Sequence, residues 1–231
     1  MGNCSSCPVK DFKPVFSLKV NTGHVYVDAP QADVLRALDR YLAQDGMEPH
    51  ALAPDDHPAA MKAIRDVEER LFWVSPRLGA WCGVFEFRYY GLEPDRLAYI
   101  DELVGESISN DLGARVLNME LIGGRGVWGF RLLESGRETA EGQHEEAPGK
   151  AVLPSLEAFV REHGLANCGI GYENIPGYPA RAIDGIPQLG DYIEGLDRFV
   201  HRAYRATAQR RAQNEIMRKH LEDAEAGVTP R

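Results

Sequence analysis

The fold class of this chain is decided by the stretch Leu71-Phe-Trp-Val-Ser-Pro-Arg-Leu-Gly-Ala-Trp-Cys-Gly-Val-Phe-Glu-Phe-Arg88. Two runs of aromatic and β-branched residues, which favour extended backbone, flank the sequence Ser75-Pro76-Arg77-Leu78-Gly79. Because proline and glycine favour turns, this pattern predicts a β-hairpin whose turn lies at residues 75–79. Helical patterns precede and follow the hairpin, so we expect a domain of mixed α and β structure.

Strand and helix signals lie upstream of the hairpin. Residues 15–28 are typical of two short strands around a turn at residues 21–23. A helix is predicted from Pro30 to Gly46, and residues 47–58 have the composition of a loop. The apolar residues of this helix share one face: Val34, Leu35, Leu38, Tyr41 and Leu42.

A second helix and two strands are predicted downstream of the hairpin. The helix begins at Pro94 and ends at Gly113, and the strands cover residues 115–122 and 127–133 with a turn at residues 123–126. The apolar stripe of this helix consists of Leu97, Ile100, Val104, Ile108 and Leu112.

The order of these elements predicts the fold. From residue 24 the chain runs strand, helix, strand, strand, helix, strand, followed by one more strand, which is the order of a split βαβ unit. We therefore predict an α+β, ferredoxin-like antiparallel sheet covered by two helices, with a C-terminal helical extension.

Composition divides the chain into four parts. The C-terminal region contains a helix near residues 154–163, a loop rich in glycine, proline and tyrosine at residues 167–190, and a long helix running from about Leu189 toward Glu225. The parts are a flexible tail at residues 1–14, a sheet domain at 15–136, a polar linker at 137–150 and a helical and loop region at 151–231.

The charge of the chain is unevenly distributed. The formal net charge of the 231 residues is −9, which disfavours general binding to nucleic acid. Residues 198–219 carry seven basic residues and one acidic residue, so this segment sums to +6 and the rest of the chain to −15. The sequence therefore predicts a basic C-terminal helix attached to an acidic body.

Several features indicate the compartment. No apolar run reaches the roughly 18 residues that a membrane-spanning helix needs, and residues 1–19 lack the apolar core of a secretory signal. Four cysteines are too few for a disulfide scaffold. We expect a cytoplasmic protein, and the frequent use of alanine, arginine and glycine suggests a bacterial one.

The hairpin also carries a resemblance. The pattern strand–Ser-Pro-x-x-Gly-x-Trp–strand, followed by a helix and two strands, resembles a loose set of uncharacterised bacterial proteins. It rests on Val74, Ser75, Pro76, Gly79 and Trp81, followed by residues 112–136, and covers about half of the chain. The resemblance supports the fold and implies no activity.

The N-terminus matches two short motifs. Met1-Gly2-Asn3-Cys4-Ser5-Ser6 fits the N-myristoylation pattern, with Gly2 as the acceptor and Cys4 as a second acylation site. Cys4 and Cys7 also have the C-x-x-C spacing of metal and dithiol sites, but no second cysteine pair accompanies them. We favour a polar tail over both functions.

Two internal motifs suggest chemistry, but we interpret both structurally. Residues 124–129 match G-x-G-x-x-G, but Trp128 begins a strand pattern, so we expect a hairpin rather than a nucleotide site. Asp55-Asp56-His57 lies between prolines in a loop, where such triplets are usually solvated. No catalytic set is visible, and we predict no catalytic residue, metal or cofactor.

Two segments are candidates for binding. Tyr172, Glu173 and Tyr178 lie in the glycine- and proline-rich loop, where polar aromatic side chains are typical of contact surfaces. In the basic helix we single out Arg205, Arg210 and Arg211, which could bind an acidic partner, pair across an oligomer or fold back on the acidic body.

These observations favour a non-enzymatic protein-interaction or regulatory protein of the immunity or adaptor type. The expected partner is another protein or a second copy of the chain, bound through the basic helix, and no nucleic acid. One alternative is an enzyme or small-ligand-binding protein with a site between the sheet and the 167–190 loop, for which Asp55, His57, Glu86, Tyr172 and Glu173 are the first residues to consider. A second alternative is a peripheral membrane protein acylated at Gly2.

Overall fold

A computed structural model describes residues 21–52, 68–87, 102–122, 126–145, 154–168 and 194–225. The strands are β1 Asn21–Val27, β2 Met47–His50, β3 Glu69–Leu78, β4 Trp81–Phe87, β5 Arg115–Ile122, β6 Val127–Glu134, β7 Arg137–Glu145 and β8 Val200–Ala206. The helices are α1 Gln31–Gln44, α2 Glu102–Leu112, α3 Pro154–His163 and α4 Ala208–Glu225, with a short 3₁₀ helix at Leu196–Arg198.

The eight strands form one sheet in the order β2-β8-β3-β4-β1-β5-β6-β7, and all neighbouring strands are antiparallel. The predicted α+β class with an antiparallel sheet is therefore confirmed. A ferredoxin-like sheet covered by two helices is not confirmed, because β8 and β2 extend the sheet on one side and β6 and β7 on the other. Helix α3 also packs against the second face.

The first face of the sheet is covered by α1 and α2. Val34 and Leu38 of α1 and Val104 and Ile108 of α2 are fully buried in one cluster with apolar side chains of β1, β3, β4 and β5. Burial of these stripes removes apolar surface from water, which is the main stabilising contribution to such a layer.

The second face contains the three tryptophans, which are all buried. The indole N–H of Trp81 donates to the carbonyl of His163 at 2.8 Å, and that of Trp128 donates to the hydroxyl of Ser155 at 2.9 Å. Both ends of α3 are thus held against the sheet by buried tryptophans whose polar atoms are satisfied.

The hairpin is present, but its turn is shorter than the predicted residues 75–79 and begins at the last of them. The reversal occurs at Gly79 and Ala80, where Gly79 has a positive φ of 62°. Ser75 and Pro76 lie in β3 at an irregularity in its pairing with β4, and the Ser75 hydroxyl accepts a hydrogen bond from the Gly83 N–H at 2.7 Å. This irregularity accommodates the proline, which has no N–H to donate.

Two segments predicted as loop or linker are strands. Met47–His50 pair with Ala203–Ala206 of β8, and Arg137–Glu145 form β7 at the edge of the sheet beside β6. Apart from half-buried Gly142, the residues of β7 are exposed. A strand that pairs on one side and faces water with both surfaces has no apolar alternation to reveal it.

The C-terminal region also differs from the prediction of one long helix. Leu196–Arg198 form a 3₁₀ helix, Val200–Ala206 form β8 between β2 and β3, and α4 begins only at Ala208. Phe199 and Ala203 are four residues apart, a spacing that places them on one side of a helix or of a strand alike.

Predictions for residues 1–20, 53–67, 88–101, 123–125 and 169–193 lie outside the described residues.

Candidate interaction surface at the C-terminal helix

The start of α4 is fixed to the turn that follows α1. Arg210 Nη1 lies 2.5 Å from Asp45 Oδ1 and also donates to the Asp45 carbonyl. The Thr207 N–H donates to the Gly46 carbonyl at 3.0 Å. Gly46 has a φ of +71°, and a Cβ at this position would lie 3.3 Å from the Cβ of Arg210. Glycine thus permits both the turn and the close approach of α4.

Arg205 lies on β8 rather than on a helix. Its Nε is 2.8 Å from Oε1 of Glu48, the residue directly opposite it on β2. Two of the three predicted binding arginines, Arg205 and Arg210, therefore form ion pairs with acidic residues of the same chain. Arg211 is exposed and its side chain forms no ion pair with a described residue.

Helix α4 is not net basic, because the predicted positive segment is divided. Arg198, Arg202 and Arg205 lie before it, in the 3₁₀ helix and β8. The helix contains four basic and four acidic residues, so its formal charge is zero: Arg210, Arg211, Arg218 and Lys219 against Glu215, Glu222, Asp223 and Glu225.

Two neighbouring hydrophobic side chains are exposed in the middle of α4. Ile216 is 58% exposed and Met217 is 59% exposed, whereas Leu103 of α2, at 58%, is the other large hydrophobic side chain with comparable exposure in the described part of the chain. In the sequence, Ile216 and Leu221 are the only large aliphatic residues after Tyr204. The exposure of Ile216 depends on how far α4 extends beyond the sheet.

A buried ion pair lies close to the contact between Arg210 and Asp45. Arg70 on β3 donates from Nε and Nη2 to the carboxylate of Glu86 on β4, at 2.7 and 2.8 Å, and both side chains are buried. Burial opposes the charged form of Arg70, but Glu86 and Tyr41 raise its pKa above the ordinary value. Arg70 Nη1 is also 3.8 Å from Asp45 Oδ2, so Asp45 lies between the core pair and Arg210.

A cluster of polar and aromatic side chains surrounds His24 on the second face of the sheet, which also contains the three tryptophans. The ring of His24 is buried, meets the ring of Phe85 edge-on at 4.9 Å, and makes no hydrogen bond from either nitrogen to a described side chain. Burial lowers the pKa of His24 to about 4, an effect that the nearby Gly23 backbone only partly offsets. This histidine is therefore neutral at physiological pH.

Tyr26 and Cys168 lie together in the same cluster. Burial raises the pKa of the Cys168 thiol to about 12, and burial beside that thiol raises the pKa of Tyr26 well above its ordinary value. Because a thiolate is the reactive form of cysteine, Cys168 is not an activated nucleophile in this arrangement. Among the described residues, no three His, Cys, Asp or Glu side chains are grouped to hold a metal ion.

The remaining predicted residues are placed as follows. Glu86 belongs to the buried ion pair, and Val127–Gly129 of the glycine motif begin β6, as the hairpin interpretation expected. The other candidates lie outside the described residues: Gly2, Cys4, Cys7, Asp55, His57, Tyr172, Glu173 and Tyr178.

Searches against protein-family models, curated proteins and solved structures find no match for this chain. Within the described residues, no helix has both the length and the apolar character that crossing a membrane requires.

Proposed function

We propose that this protein is a non-enzymatic interaction or regulatory protein that binds a protein partner through α4. The observation that carries the proposal is the adjacent exposure of Ile216 and Met217 on a helix whose sequence is mostly polar. Exposed apolar side chains that lie together on a surface favour a protein contact, because burying them in a complex removes them from water.

The arginines have separate roles in this proposal. Arg210 is a positioning residue, because its pairing with Asp45 fixes where α4 leaves the sheet. Arg205 stabilises the pairing of β8 with β2 through Glu48. Arg211, which is exposed on α4, is the predicted binding residue that remains available to an acidic group of a partner.

The test compares complexes isolated from the cells that naturally contain the protein. We expect Ile216→Ser/Met217→Ser to abolish a stoichiometric complex that the unaltered chain forms, while leaving the unfolding midpoint unchanged. The matched control is Leu103→Ser, which removes an equally exposed side chain from a different helix and is expected to retain the complex.

Native mass spectrometry of the purified complexes gives the composition and stoichiometry. A complex that survives in the Ile216→Ser/Met217→Ser variant would exclude α4 as the docking element. Equal loss in the Leu103→Ser control would show that exposed apolar residues in general, rather than those on α4, are responsible.

A second candidate function is small-ligand binding between the sheet and the loop at residues 167–190. It is favoured by His24, a buried histidine without a hydrogen-bonding side chain among the described residues, on the face of the sheet that also carries Tyr26 and Cys168. A metabolite that raises the melting temperature of the unaltered chain, and not of His24→Leu or Tyr172→Ala, would support this function.

Two further parts of the proposal concern architecture and location. We infer that the inner strands, in the order β3-β4-β1-β5, form a ferredoxin-like split βαβ unit with α1 and α2, to which the outer strands are added. We propose a cytoplasmic location, supported by the buried free thiols Cys82 and Cys168. Acylation at Gly2 would instead direct the protein to a membrane, and intact-mass measurement after coexpression with a myristoyl transferase tests it.

A further inference from the structure

The first and last turns of α4 carry side chains of opposite charge. The first turn contains no acidic residue and the last turn contains no basic residue. Arg210 and Arg211 lie near the start of the helix, and Glu222, Asp223 and Glu225 lie at its end. The first turn of α4 is therefore positive and the last turn negative, while Arg218 and Lys219 lie between the apolar pair and the acidic end.

This distribution of charged side chains is unfavourable for an isolated helix. The N-terminus of a helix carries a partial positive charge and the C-terminus a partial negative charge, so acidic residues stabilise the start and basic residues stabilise the end. In α4 the first turn is basic and the last turn is acidic, so the side-chain charges at both ends are the reverse of those that the helix dipole favours. The ion pair with Asp45 offsets the unfavourable interaction of Arg210 with the helix dipole, but the side chain of Arg211 forms no ion pair with a described residue.

The exposed apolar pair lies at the centre of this charge pattern. Helix α4 covers 18 residues from Ala208 to Glu225, and its midpoint falls between Ile216 and Met217. Gln213, Ile216 and Met217 are exposed and share one side of the helix, because residues three and four positions apart are neighbours on a helical surface. A two-fold axis at this midpoint would bring each apolar pair against its own copy.

We propose that the partner of α4 is the α4 helix of a second copy of this chain, packed antiparallel around Ile216 and Met217. An antiparallel pair places the acidic end of each helix beside the basic end of the other, and it also opposes the two helix dipoles. A parallel pair would place like charges together at both ends. The inference rests on the proposed function, since it names the partner that α4 binds.

Cross-linking of the full chain tests the orientation. Positions 213 and 220 are equidistant from the helix midpoint, so in an antiparallel pair Gln213 of one copy lies opposite His220 of the other. The background carries Cys4→Ser and Cys7→Ser, while Cys82 and Cys168 are buried. We expect a mixture of Gln213→Cys and His220→Cys chains, oxidised with copper phenanthroline, to give mainly the mixed dimer.

Each variant oxidised alone should give little product, because like positions are about 10 Å apart along an antiparallel pair. Predominant 213–213 and 220–220 products would indicate a parallel pair and overturn the proposal. Analytical ultracentrifugation in which the unaltered chain sediments as a monomer at every concentration measured would also overturn the proposal. The proposed function would survive that result if a different protein depended on Ile216 and Met217 for binding.

Reversal of the acidic end separates pairing from helix stability. Glu222→Lys/Asp223→Lys/Glu225→Lys gives the last turn the charge that the helix dipole favours, so the helix itself should become more stable. We nevertheless expect the dimer dissociation constant to rise by about fivefold at low ionic strength, an effect that 1 M salt removes by screening. Unchanged or tighter dimerisation would contradict the antiparallel arrangement.

Discussion

At the scale of single residues, the core of this protein contains two ionisable side chains, Arg70 and His24, with opposite surroundings. Arg70 is buried but paired in two hydrogen bonds with Glu86, whereas His24 is buried with no hydrogen bond from its ring to a described side chain. A buried charge requires a partner, and a buried ionisable group without one becomes neutral. Stability should therefore respond differently to changes at the two sites.

The Arg70–Glu86 pair predicts a large non-additive effect. Glu86→Leu removes the carboxylate that accepts both hydrogen bonds and leaves buried Arg70 with the more distant Asp45 at 3.8 Å, so it should lower the free energy of unfolding by about 3 kcal/mol. Arg70→Leu/Glu86→Leu removes both charges and should cost much less. Urea unfolding of the two single variants and the double variant measures the coupling, and additive losses would show that the two side chains act independently.

His24 predicts a dependence of stability on pH. Its pKa is about 4 in the folded protein and 6.5 in the unfolded chain, so between these values the unfolded state binds more protons. Stability should be complete above pH 6.5 and decline as the pH falls toward 4, by about 2 kcal/mol at pH 5 from this residue alone. His24→Leu should remove that share of the decline while other groups titrate as before. An unaltered difference between pH 7 and pH 5 in the variant would be evidence against the lowered pKa.

At the scale of elements, helix α2 depends on close approach to the sheet. A methyl group added at Gly105 would overlap the side-chain amide of Asn118 on β5, and that buried amide makes no hydrogen bond to a described residue. Glycine is normally a poor helix residue, costing about 1 kcal/mol relative to alanine. Here the lack of a side chain allows α2 to pack.

The expected result of Gly105→Ala is therefore a loss of stability of about 1–3 kcal/mol, opposite in sign to helix propensity. Asn118→Ala in the same chain should recover much of this loss, because it removes both the overlap and an unsatisfied amide. Urea midpoints of the single and double variants measure it. A stabilising Gly105→Ala would mean that α2 does not pack this closely.

The elements that could be predicted from sequence are those with clear local signals. Helix α3 has the predicted bounds of Pro154 and His163, and Gly164, the residue after it, has a φ of 62°. The described residues of the α1 and α2 stripes are buried, except Tyr41 and Leu112, which are partly buried. Strands β7 and β8 were missed for different reasons: β7 lacks a buried face, and the apolar spacing of β8 also fits a helix. Burial and pairing partners, which decide these cases, are not local properties.

The candidate site was predictable only in part. The concentration of positive charge before residue 219 is visible in the sequence, but the pairing of Arg205 with Glu48 and Arg210 with Asp45 joins residues more than 150 positions apart. The exposure of Ile216 and Met217 likewise depends on where β8 ends and α4 leaves the sheet. Sequence patterns identify which residues are unusual, and the topology determines whether they are paired or exposed.

At the scale of the whole molecule, the described residues form a sheet with both faces packed and a helix, α4, that extends from it. Strand β8 belongs to the sheet, between β2 and β3, although only Thr207 separates it from α4. Hydrogen bonds of an inner strand open only with large-scale unfolding, whereas an exposed helix opens locally. The two segments should therefore differ sharply in protection.

Amide hydrogen exchange of the full chain, measured at a dilution at which it is monomeric and in its purified complex, tests this division most directly. We expect slow exchange of Val200–Ala206 in both samples, and fast exchange of residues 212–225 in the monomer that becomes slow in the complex. Equal exchange of the two segments in the monomer, or no change in residues 212–225 on complex formation, would contradict this division.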